Sequence, residues 1–315
     1  MKYINDYAEG ERVIAFCLVK SREVGVTSNQ SEYMNIEIGD RSGSVIAKLW
    51  DVTEEHKTII QVKSIIKIDA QVQSYRGKKQ FVIQRVRLAT EADEVLMESL
   101  IPASKYPLED LWNQLQGFIG EIKSDVLVKV IREILANEEL VERLRSFPAG
   151  VKMHHNYYSG LLEHIVSLLE LAKRLLPLYP HVDRDVLYAT CILHDIGKLY
   201  ELSDAIAPDY STPGQLIGHL VMGVELVTEA CRTHQIPTDN SEILHLKHCI
   251  LSHHGDIEMG WGSAVSGKTP TAVIFHYLDQ IDSKMNALGQ TLSGMGEEEE
   301  WGYAGALRRR IWRGF

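Results

Sequence analysis

The chain has 315 residues, 45% of them hydrophobic and 24% charged, which is the composition of an ordinary soluble protein with room for about two domains. No apolar run reaches the ~20 residues of a membrane-spanning helix, and the first residues lack the apolar segment of a secretory signal, so a cytoplasmic protein is expected. The net charge of −10 disfavours a polyanionic partner overall, but residues 1–90 carry a balance of +3 and the remainder −13. The N-terminal part is therefore the better nucleic-acid surface, and the acidic remainder is compatible with bound cations.

Strand signals dominate up to about residue 90. Apolar residues alternate with polar ones in two runs: Met34, Ile36 and Ile38 in the first, and Val45, Ala47 and Leu49 in the second. The sequence DRSG supplies a turn between them, and a second hairpin is predicted at YRGKK, where Gly77 tolerates a positive φ. About five short strands that curl onto themselves suit a small barrel, because closure hides the sheet edges.

Residues 11–90, with GDRSGSVIAKLWD at their centre, resemble the OB-fold of the anticodon-binding type, in which an Asp-x-x-Gly turn separates the second and third strands. The resemblance implies a groove for single-stranded nucleic acid, lined by aromatic and basic side chains. The candidates are Tyr33, Lys48, Trp50, Tyr75, Arg76, Lys78, Lys79 and Phe81. Trp50 and Phe81 are equally compatible with places in the barrel core.

From about residue 92 the apolar spacing becomes helical, with Ser124 and Asp125 as cap candidates. The fold class expected is α+β multidomain: a small N-terminal β-barrel (OB-fold), 1–90, then a helical connector, 91–150, and an all-α domain, 151–290. The C-terminal tail, 291–315, contains the acidic GEEEEWGYAG, residues 296–305, which is predicted to be a solvated linker. It ends with the basic LRRRIWRGF, which either contacts RNA or a neighbouring subunit or frays.

The stretch LYATCILHDIGKLYEL, residues 187–202, is apolar enough for a core helix yet carries His194, Asp195 and Lys198. Buried ionisable groups cost several kcal/mol unless they are paired or bound to a metal. More His and Asp residues lie in apolar helical segments further along the chain: His164, His219, His253, His254 and Asp279. One such histidine is usually satisfied by a carbonyl, but so many on separate helices favour a site for divalent metal ions.

Asp195 and Lys198 are the candidate catalytic residues of this site. Adjacent helical residues diverge by about 100°, so Asp195 is free to bridge two metals rather than to face the same way as His194. Two ions roughly 3.5–4 Å apart lower the pKa of a water between them and neutralise a phosphoryl oxygen, which is the chemistry of phosphodiester hydrolysis. Lys198 is expected to hold the phosphate as a point charge; the alternative is an exposed helix end near Gly197, where it would only complement the helix dipole.

Residues 151–290 resemble the HD-domain metal-dependent phosphohydrolases. His164, the doublet His194–Asp195 within HDIGK, and Asp279 match the four signature positions in order. His219 and the pair 253–254 match the additional ligands of two-metal members such as the HD-GYP cyclic-dinucleotide phosphodiesterases, although the GYP motif is absent.

An OB-fold ahead of an HD domain, over nearly the whole chain, is similar to the YhaM-type 3′→5′ exoribonucleases. That resemblance implies trimming of single-stranded RNA, with single-stranded DNA as an alternative, by two divalent ions. Manganese is the favoured ion, and Fe, Co and Zn suit the same ligands.

The remaining histidines are assigned ordinary structural roles. His154 and His155 are expected at the helix entry and in surface packing, with the mouth of the metal site as the alternative, and His276 and Asp282 are kept outside the ligand set. The others without a ligand pattern are His181, His234, His245 and His248. Four scattered cysteines without a CxxC pair are expected to be core residues in a reducing compartment: Cys17, Cys191, Cys231 and Cys249.

Three functions fit the sequence. The first is a metal-dependent 3′-5′ exoribonuclease, and the second is a phosphohydrolase of nucleotides or cyclic dinucleotides with a regulatory OB domain. The third is a non-catalytic RNA-binding protein with a structural metal, which would need neither open coordination positions nor a phosphate-holding lysine. The exonuclease is preferred because it alone uses both halves of the chain. A homo-oligomer is left open.

Overall fold

Two units divide the chain, Met1–Ala103 and Ser104–Phe315. The computed structural model describes all residues except a few, which are Met1, Ser28, Arg76, Gly77, residues 152–154, Ala207, Trp261, Glu297 and Phe315. The side chains of Lys78, Glu98 and Met259 are also outside the description. Among the described residues, no helix is both long enough and apolar enough to cross a membrane.

The first unit is a closed five-stranded barrel. Its strands are β1 (Arg12–Val26), β2 (Glu32–Asp40), β3 (Gly43–Trp50), β4 (Ile65–Tyr75) and β5 (Lys78–Leu88), with helix α1 (Glu54–Ile59) between β3 and β4. The strand order is β1-β2-β3-β5-β4, and the β3–β5 pair is parallel whereas the others are antiparallel. The six alternating apolar residues of β2 and β3 all point into the core, as predicted. The OB-like barrel expected from the sequence is therefore confirmed.

The turn between β2 and β3 is held by Asp40. Its Oδ1 accepts hydrogen bonds from the backbone N–H and the hydroxyl of Ser42, at 2.8 and 2.6 Å, and its Oδ2 accepts one from the N–H of Ile4 at 2.6 Å. The predicted Asp-x-x-Gly turn thus also fastens the N-terminal segment to the barrel. In the second hairpin Tyr75 pairs with Lys78, and the turn residues Arg76 and Gly77 lie outside the described residues.

The second unit begins with a helical assembly. Its helices are α2 (Leu108–Glu121), α3 (Asp125–Ile134), α4 (Glu138–Ser146), α5 (Gly160–Leu175), α6 (Arg184–Leu193), α7 (Lys198–Glu201), α8 (Thr212–Ile217), α9 (His219–Thr233), α10 (Ser241–Ser252) and α11 (Pro270–Ser293). Helices α2 to α4 share one hydrophobic core with α5, α6 and the later helices. Ser124 caps α3 as predicted, because its hydroxyl accepts a hydrogen bond from the N–H of Leu127 at 3.2 Å. A helical unit after the barrel confirms the α+β class.

The C-terminal residues form a hairpin of β6 (Trp301–Ala304) and β7 (Arg309–Trp312). Gly302 lies against the end of α11 so closely that an added Cβ would be 2.7 Å from Sδ of Met295 and 3.2 Å from Cγ2 of Thr291. The sequence prediction of a solvated linker followed by a fraying tail was wrong over these strands. The small and apolar residues that alternate along the hairpin strands pack on α11. The pattern of the segment taken alone does not predict this contact.

All four cysteines are buried and unpaired, as expected for core residues. Burial raises the pKa of Cys17 to about 12 and raises the pKa of Cys191 as well. These thiols therefore stay protonated near neutral pH, and no thiolate is available as a metal ligand.

Candidate metal centre

Five helices of the second unit deliver the predicted ligands to one place. The seven residues are His164 on α5, His194 and Asp195 at the end of α6, His219 at the start of α9, His253 and His254 at the end of α10, and Asp279 on α11. Their ligand atoms fall into overlapping groups that could each hold a metal ion. Most of these side chains are buried, including the two aspartates. The structure thus places all seven together, whereas their ligand roles remain predictions.

The first group surrounds the Nε2 atom of His164. This atom lies 3.3 Å from Nε2 of His194 and 3.3 Å from Oδ1 of Asp279. The Nε2 atom of His194 is in turn 3.2 Å from Oδ2 of Asp195. His164, His194 and Asp279 therefore place three ligand atoms close enough together to hold one ion, and Asp195 adjoins this group through His194.

The second group lies on the other side of Asp195. Its Oδ1 atom is 3.6 Å from Nε2 of His219 and 3.8 Å from Nε2 of His253. The Nε2 atoms of His219 and His254 are 3.3 Å apart. Asp195 therefore presents one oxygen to each group, which is the arrangement that a bridging carboxylate needs.

Two ligand histidines are oriented by carboxylates outside the groups. The Nδ1 atom of His164 is 2.7 Å from Oδ2 of Asp282, and the Nδ1 atom of His219 is 2.9 Å from Oε1 of Glu201. Because a carboxylate only accepts, each Nδ1 carries a hydrogen and each Nε2 faces the centre.

Two further ligand histidines are oriented by helix carbonyls. The Nδ1 atom of His194 is 3.2 Å from the carbonyl oxygen of Cys191, and that of His253 is 2.8 Å from the carbonyl oxygen of Ile250. Both histidines end their helices and donate back by three residues. The same tautomer results, with Nε2 facing the centre.

The donor set fits divalent cations. The inward lone pairs of His164 and His194 meet at 3.3 Å, which is repulsive unless a proton or a metal lies between them. The buried Oδ1 atom of Asp195 has no hydrogen-bond partner among the described residues. An unpartnered buried carboxylate oxygen is costly, and a cation there would remove the cost. Neutral imidazoles with carboxylates are the ligands that first-row divalent ions take.

The shifted pKa values of several side chains in the centre also favour binding of a divalent cation. Burial acts to raise the pKa of Asp195, but the charges of His194 and Lys198 outweigh it and hold that pKa well below its usual range. Burial and the neighbouring His219 lower the pKa of His254 to about 4, and burial also lowers the pKa of His253. Ionised carboxylates and neutral imidazoles are the forms that bind metal.

A proton on His164 offsets the negative charge of the neighbouring carboxylates in the absence of an ion. Burial acts to lower its pKa, but hydrogen bonds to Asp279 and Asp282 outweigh burial and raise the pKa to about 10. A proton held between these groups stands in for a cation. Metal binding at His164 must therefore displace this proton.

Lys198 sits at the start of α7 and belongs to the centre. Its Nζ atom is 2.7 Å from Oδ2 of Asp195 and donates to the carbonyl oxygen of Ala149 at 2.6 Å. Its side chain is only 12% exposed, so the alternative of an exposed helix end was wrong. Burial acts to lower the pKa of Lys198, yet the charge of Asp195 raises it, and the ammonium stays charged.

Three residues of the centre were missed from the sequence. His155 is buried, with Nε2 2.8 Å from Oδ2 of Asp282, so its assignment to surface packing was wrong. Asp282 had been kept outside the ligand set; it contacts His164 and His155 together. Glu201 orients His219. A signal existed for Asp282, three residues after Asp279 on one helical face, and for Glu201 in the apolar HDIGKLYEL run.

The other unassigned histidines contact groups outside the seven ligand side chains. His234 pairs with Glu133, His245 with Thr269, and His248 with the N–H of Lys268. His276 is 2.9 Å from the carbonyl oxygen of His253, and His181 packs on Tyr179. His154 lies outside the described residues.

On the barrel, three predicted nucleic-acid residues form one cluster. Tyr33 of β2 and Trp50 of β3 are directly paired, with ring centroids 5.6 Å apart. The Nζ atom of Lys48 lies 4.3 Å from the Tyr33 centroid and 4.2 Å from that of Trp50. Trp50 is 45% exposed, so a place in the core does not apply to it.

The remaining nucleic-acid candidates of the barrel differ in burial and in their contacts. Phe81 is fully buried in the core and has no face to offer a base, so its assignment to the nucleic-acid surface is corrected. Lys79 donates to the carbonyl of Asn5 at 3.1 Å, and Tyr75 is exposed at the end of β4. Arg76 and the side chain of Lys78 lie outside the described residues.

The chain is similar to one domain family and to several known proteins. The HD domain family matches residues 161–284. The 3′-5′ exoribonuclease YhaM of Geobacillus sp. (strain WCH70) is 36% identical over 305 residues, covering 96% of this chain and 92% of that protein. The protein of the same name from Bacillus pumilus (strain SAFR-032) is 34% identical, and the match covers 92% of this chain and 91% of that protein. The one from Bacillus subtilis (strain 168) is 35% identical, and the match covers 90% of this chain and 88% of that protein. Among solved structures, the second OB-fold domain of replication protein A from Methanococcus maripaludis covers 28% of this chain and 94% of its own, at 13% identity and a TM-score of 0.23.

Proposed function

From the premise that the chain belongs to the YhaM family of 3′-5′ exoribonucleases, we propose that it removes nucleotides from the 3′ end of single-stranded RNA at the metal centre, with two divalent ions. The observation that carries the proposal is Asp195, whose two oxygens face two separate groups of histidines. A structural metal site would be closed and would not need a second group beside it.

The residues that would hold the ions follow from the two groups. His164, His194, Asp195 and Asp279 would hold one, and Asp195 would share the other with His219, His253 and His254. When bound, two such ions supply an activated water and offset the charge on the scissile phosphate. Manganese is part of this proposal through the family resemblance.

Lys198 would hold the scissile phosphate. An ammonium has three donor hydrogens, and the contacts to Asp195 and Ala149 use two of them. The third is available to a phosphoryl oxygen. Because the ion pair fixes the position of Nζ, this donor is already oriented before substrate arrives.

The barrel would bind the body of the strand through Tyr33, Lys48 and Trp50. Each base stacked on an aromatic ring contributes about 1–3 kcal/mol without regard to sequence, and the lysine suits a phosphate. Tyr75 and Lys79 extend the proposed surface along the β4–β5 hairpin, and Arg76 and Lys78 stay candidates from the sequence. Stacking of this kind accepts single-stranded DNA as well as RNA.

The predicted domain boundaries, at about residues 90, 150 and 290, and the predicted cytoplasmic location are also part of the proposal.

The test is incubation of the metal-loaded protein with a 5′-labelled single-stranded RNA. A ladder that shortens from the 3′ end is expected, and chelation should stop it. Hydrolysis of mononucleotides or cyclic dinucleotides in preference to the oligomer would instead assign the centre to small-molecule phosphohydrolysis. Binding without any hydrolysis, in protein shown to contain two ions, would contradict the proposed enzyme.

A further inference from the structure

The C-terminal hairpin has two faces of opposite character. Along each strand, alternate residues point to opposite sides. Gly302 and the buried Ala304 face α11. The other side, called here the outer face, consists of two directly opposed pairs, Trp301 with Trp312 and Tyr303 with Arg310.

The outer face is exposed and its side chains are ordered against one another. Trp301 is 50% exposed, Tyr303 65% and Trp312 58%. The two tryptophan rings are 6.3 Å apart and inclined by 29°, and the guanidinium carbon of Arg310 is 5.4 Å from the Trp301 centroid. Packing the hairpin onto α11 requires none of these rings, because the inner face makes that contact. Three large aromatics held together in water indicate a binding surface.

The hairpin carries exposed arginines although the chain is acidic overall. Arg308, Arg309 and Arg310 are exposed and form no ion pair within the described part of the chain. Residues 305–315 contain four arginines and no acidic residue, whereas four glutamates, residues 297–300, precede β6, so the positive charge is confined to the later part of the hairpin. Unpaired arginines beside exposed aromatic rings match a strand of phosphates and bases.

We propose that the outer face, Trp301, Tyr303, Arg310 and Trp312, is a second binding site for single-stranded RNA. The inference rests on the proposed function, which supplies the polyanionic strand. Bases stack on the aromatic rings, and the arginines take the phosphates.

The position of the hairpin suits a strand whose 3′ end lies in the metal centre. Thr291 and Met295 support the hairpin at the end of α11, and Asp279 lies on the same helix twelve residues before Thr291. At 1.5 Å per residue this places the support about 18 Å along the helix from the centre. The outer face would therefore hold nucleotides upstream of the one being removed, and a dinucleotide would be too short to reach it.

The experiment measures how tightly the metal-loaded protein binds a fluorescent single-stranded RNA of about 20 nucleotides whose 3′-terminal linkages are chemically modified to resist cleavage. Tyr303→Ala and Trp312→Ala should each weaken binding by about five- to a hundredfold, the range expected for one lost stacking contact. Arg310→Glu leaves all three aromatic rings in place, although it removes the guanidinium from the Trp301 ring, and it should make the dependence of log affinity on log salt shallower by at least about 0.7. The matched control is Tyr277→Ala on α11, an aromatic residue that is 60% exposed and packs on His276, and it should bind as the parent does.

The outcomes separate the two proposals. Parent-like RNA affinity in Tyr303→Ala, Trp312→Ala and Arg310→Glu, each with an unchanged melting temperature, would overturn the inference. So would sedimentation showing that these variants lose a dimer that the parent forms, because a second copy would then cover the face. If Tyr303→Ala or Trp312→Ala fails to fold, the RNA affinity and salt dependence of Arg310→Glu decide whether the inference holds. Hydrolysis of a dinucleotide tests the metal centre separately: its absence in the parent defeats the proposed function while weakened binding still supports the outer face.

Discussion

The Nζ atom of Lys198 lies 2.7 Å from Oδ2 of Asp195, the carboxylate whose other oxygen faces His219 and His253. One side chain thus connects a buried cation to both groups of the metal centre. Removing either partner should therefore affect chemistry and metal binding differently, because only the carboxylate is a ligand.

Lys198→Ala should keep its metals, since an ammonium does not bind them, but should slow cleavage about ten- to a hundredfold. This corresponds to one lost charge-assisted contact of about 1.5–3 kcal/mol in the transition state. Lys198→Arg should restore only part of the rate, because a planar fork replaces a compact charge. Single-turnover cleavage and metal analysis are measured on the same samples.

The control for this variant is Lys173→Ala, which removes an exposed lysine paired with Glu121. Because Lys198 is largely buried, thermal melting must first show that Lys198→Ala is folded. Full metal occupancy with parent-like cleavage would remove this lysine from catalysis.

Asp195→Ala should abolish hydrolysis and lower the content of divalent metal while leaving most of the RNA affinity. The reason is that both groups lose the carboxylate that they share, whereas the barrel surface is untouched. Metal content and gel-shift affinity are the two measurements. Normal turnover in the verified variant would defeat the two-metal proposal.

Glu201→Gln tests orientation rather than ligation. An amide is uncharged and can present either its oxygen or its NH2 group to Nδ1 of His219, so the tautomer is no longer fixed, and metal affinity should fall about ten- to a hundredfold. Glu133→Gln is the matched control, since Glu133 pairs with His234 away from the ligand side chains. Titration with metal is the readout. If excess metal does not rescue the activity of Glu201→Gln, an effect beyond metal affinity is at work.

Trp50→Ala should raise KM for a long single strand far more than for a dinucleotide, with kcat nearly unchanged. Remote binding energy is lost while the metal chemistry remains. Ile14→Ala, an exposed apolar residue of β1, serves as control on the same barrel. Equal losses on both substrates would assign the cluster of Tyr33, Lys48 and Trp50 to stability instead.

Chelation should lower the melting temperature of the second unit. Ions at a free concentration of about 100 times their Kd stabilise the folded state by about 2.7 kcal/mol. Calorimetry with and without manganese measures the shift, which should be smaller in Asp195→Ala. Identical melting in both conditions would speak against a loaded centre in the parent.

The parts of the molecule that the sequence predicted well are those with a periodic or local signal. Alternation in β2 and β3 defined the hairpin, and His164, His194 and Asp279 stood out as polar groups on apolar helices. His155 carried no such signal, because its place beside Asp282 depends on the packing of α5 against α11. The C-terminal hairpin was missed for a related reason: its four-residue strands acquire an inner face only when α11 supplies the opposing surface.

Two of the ligand histidines, His194 and His253, stand at the C-terminal ends of α6 and α10. The C-terminus of a helix carries about half a negative charge, so both helices add to the potential of the carboxylates there. Their polarity therefore favours a cation over an anion at the place where the two imidazoles meet, and it does so independently of the carboxylates.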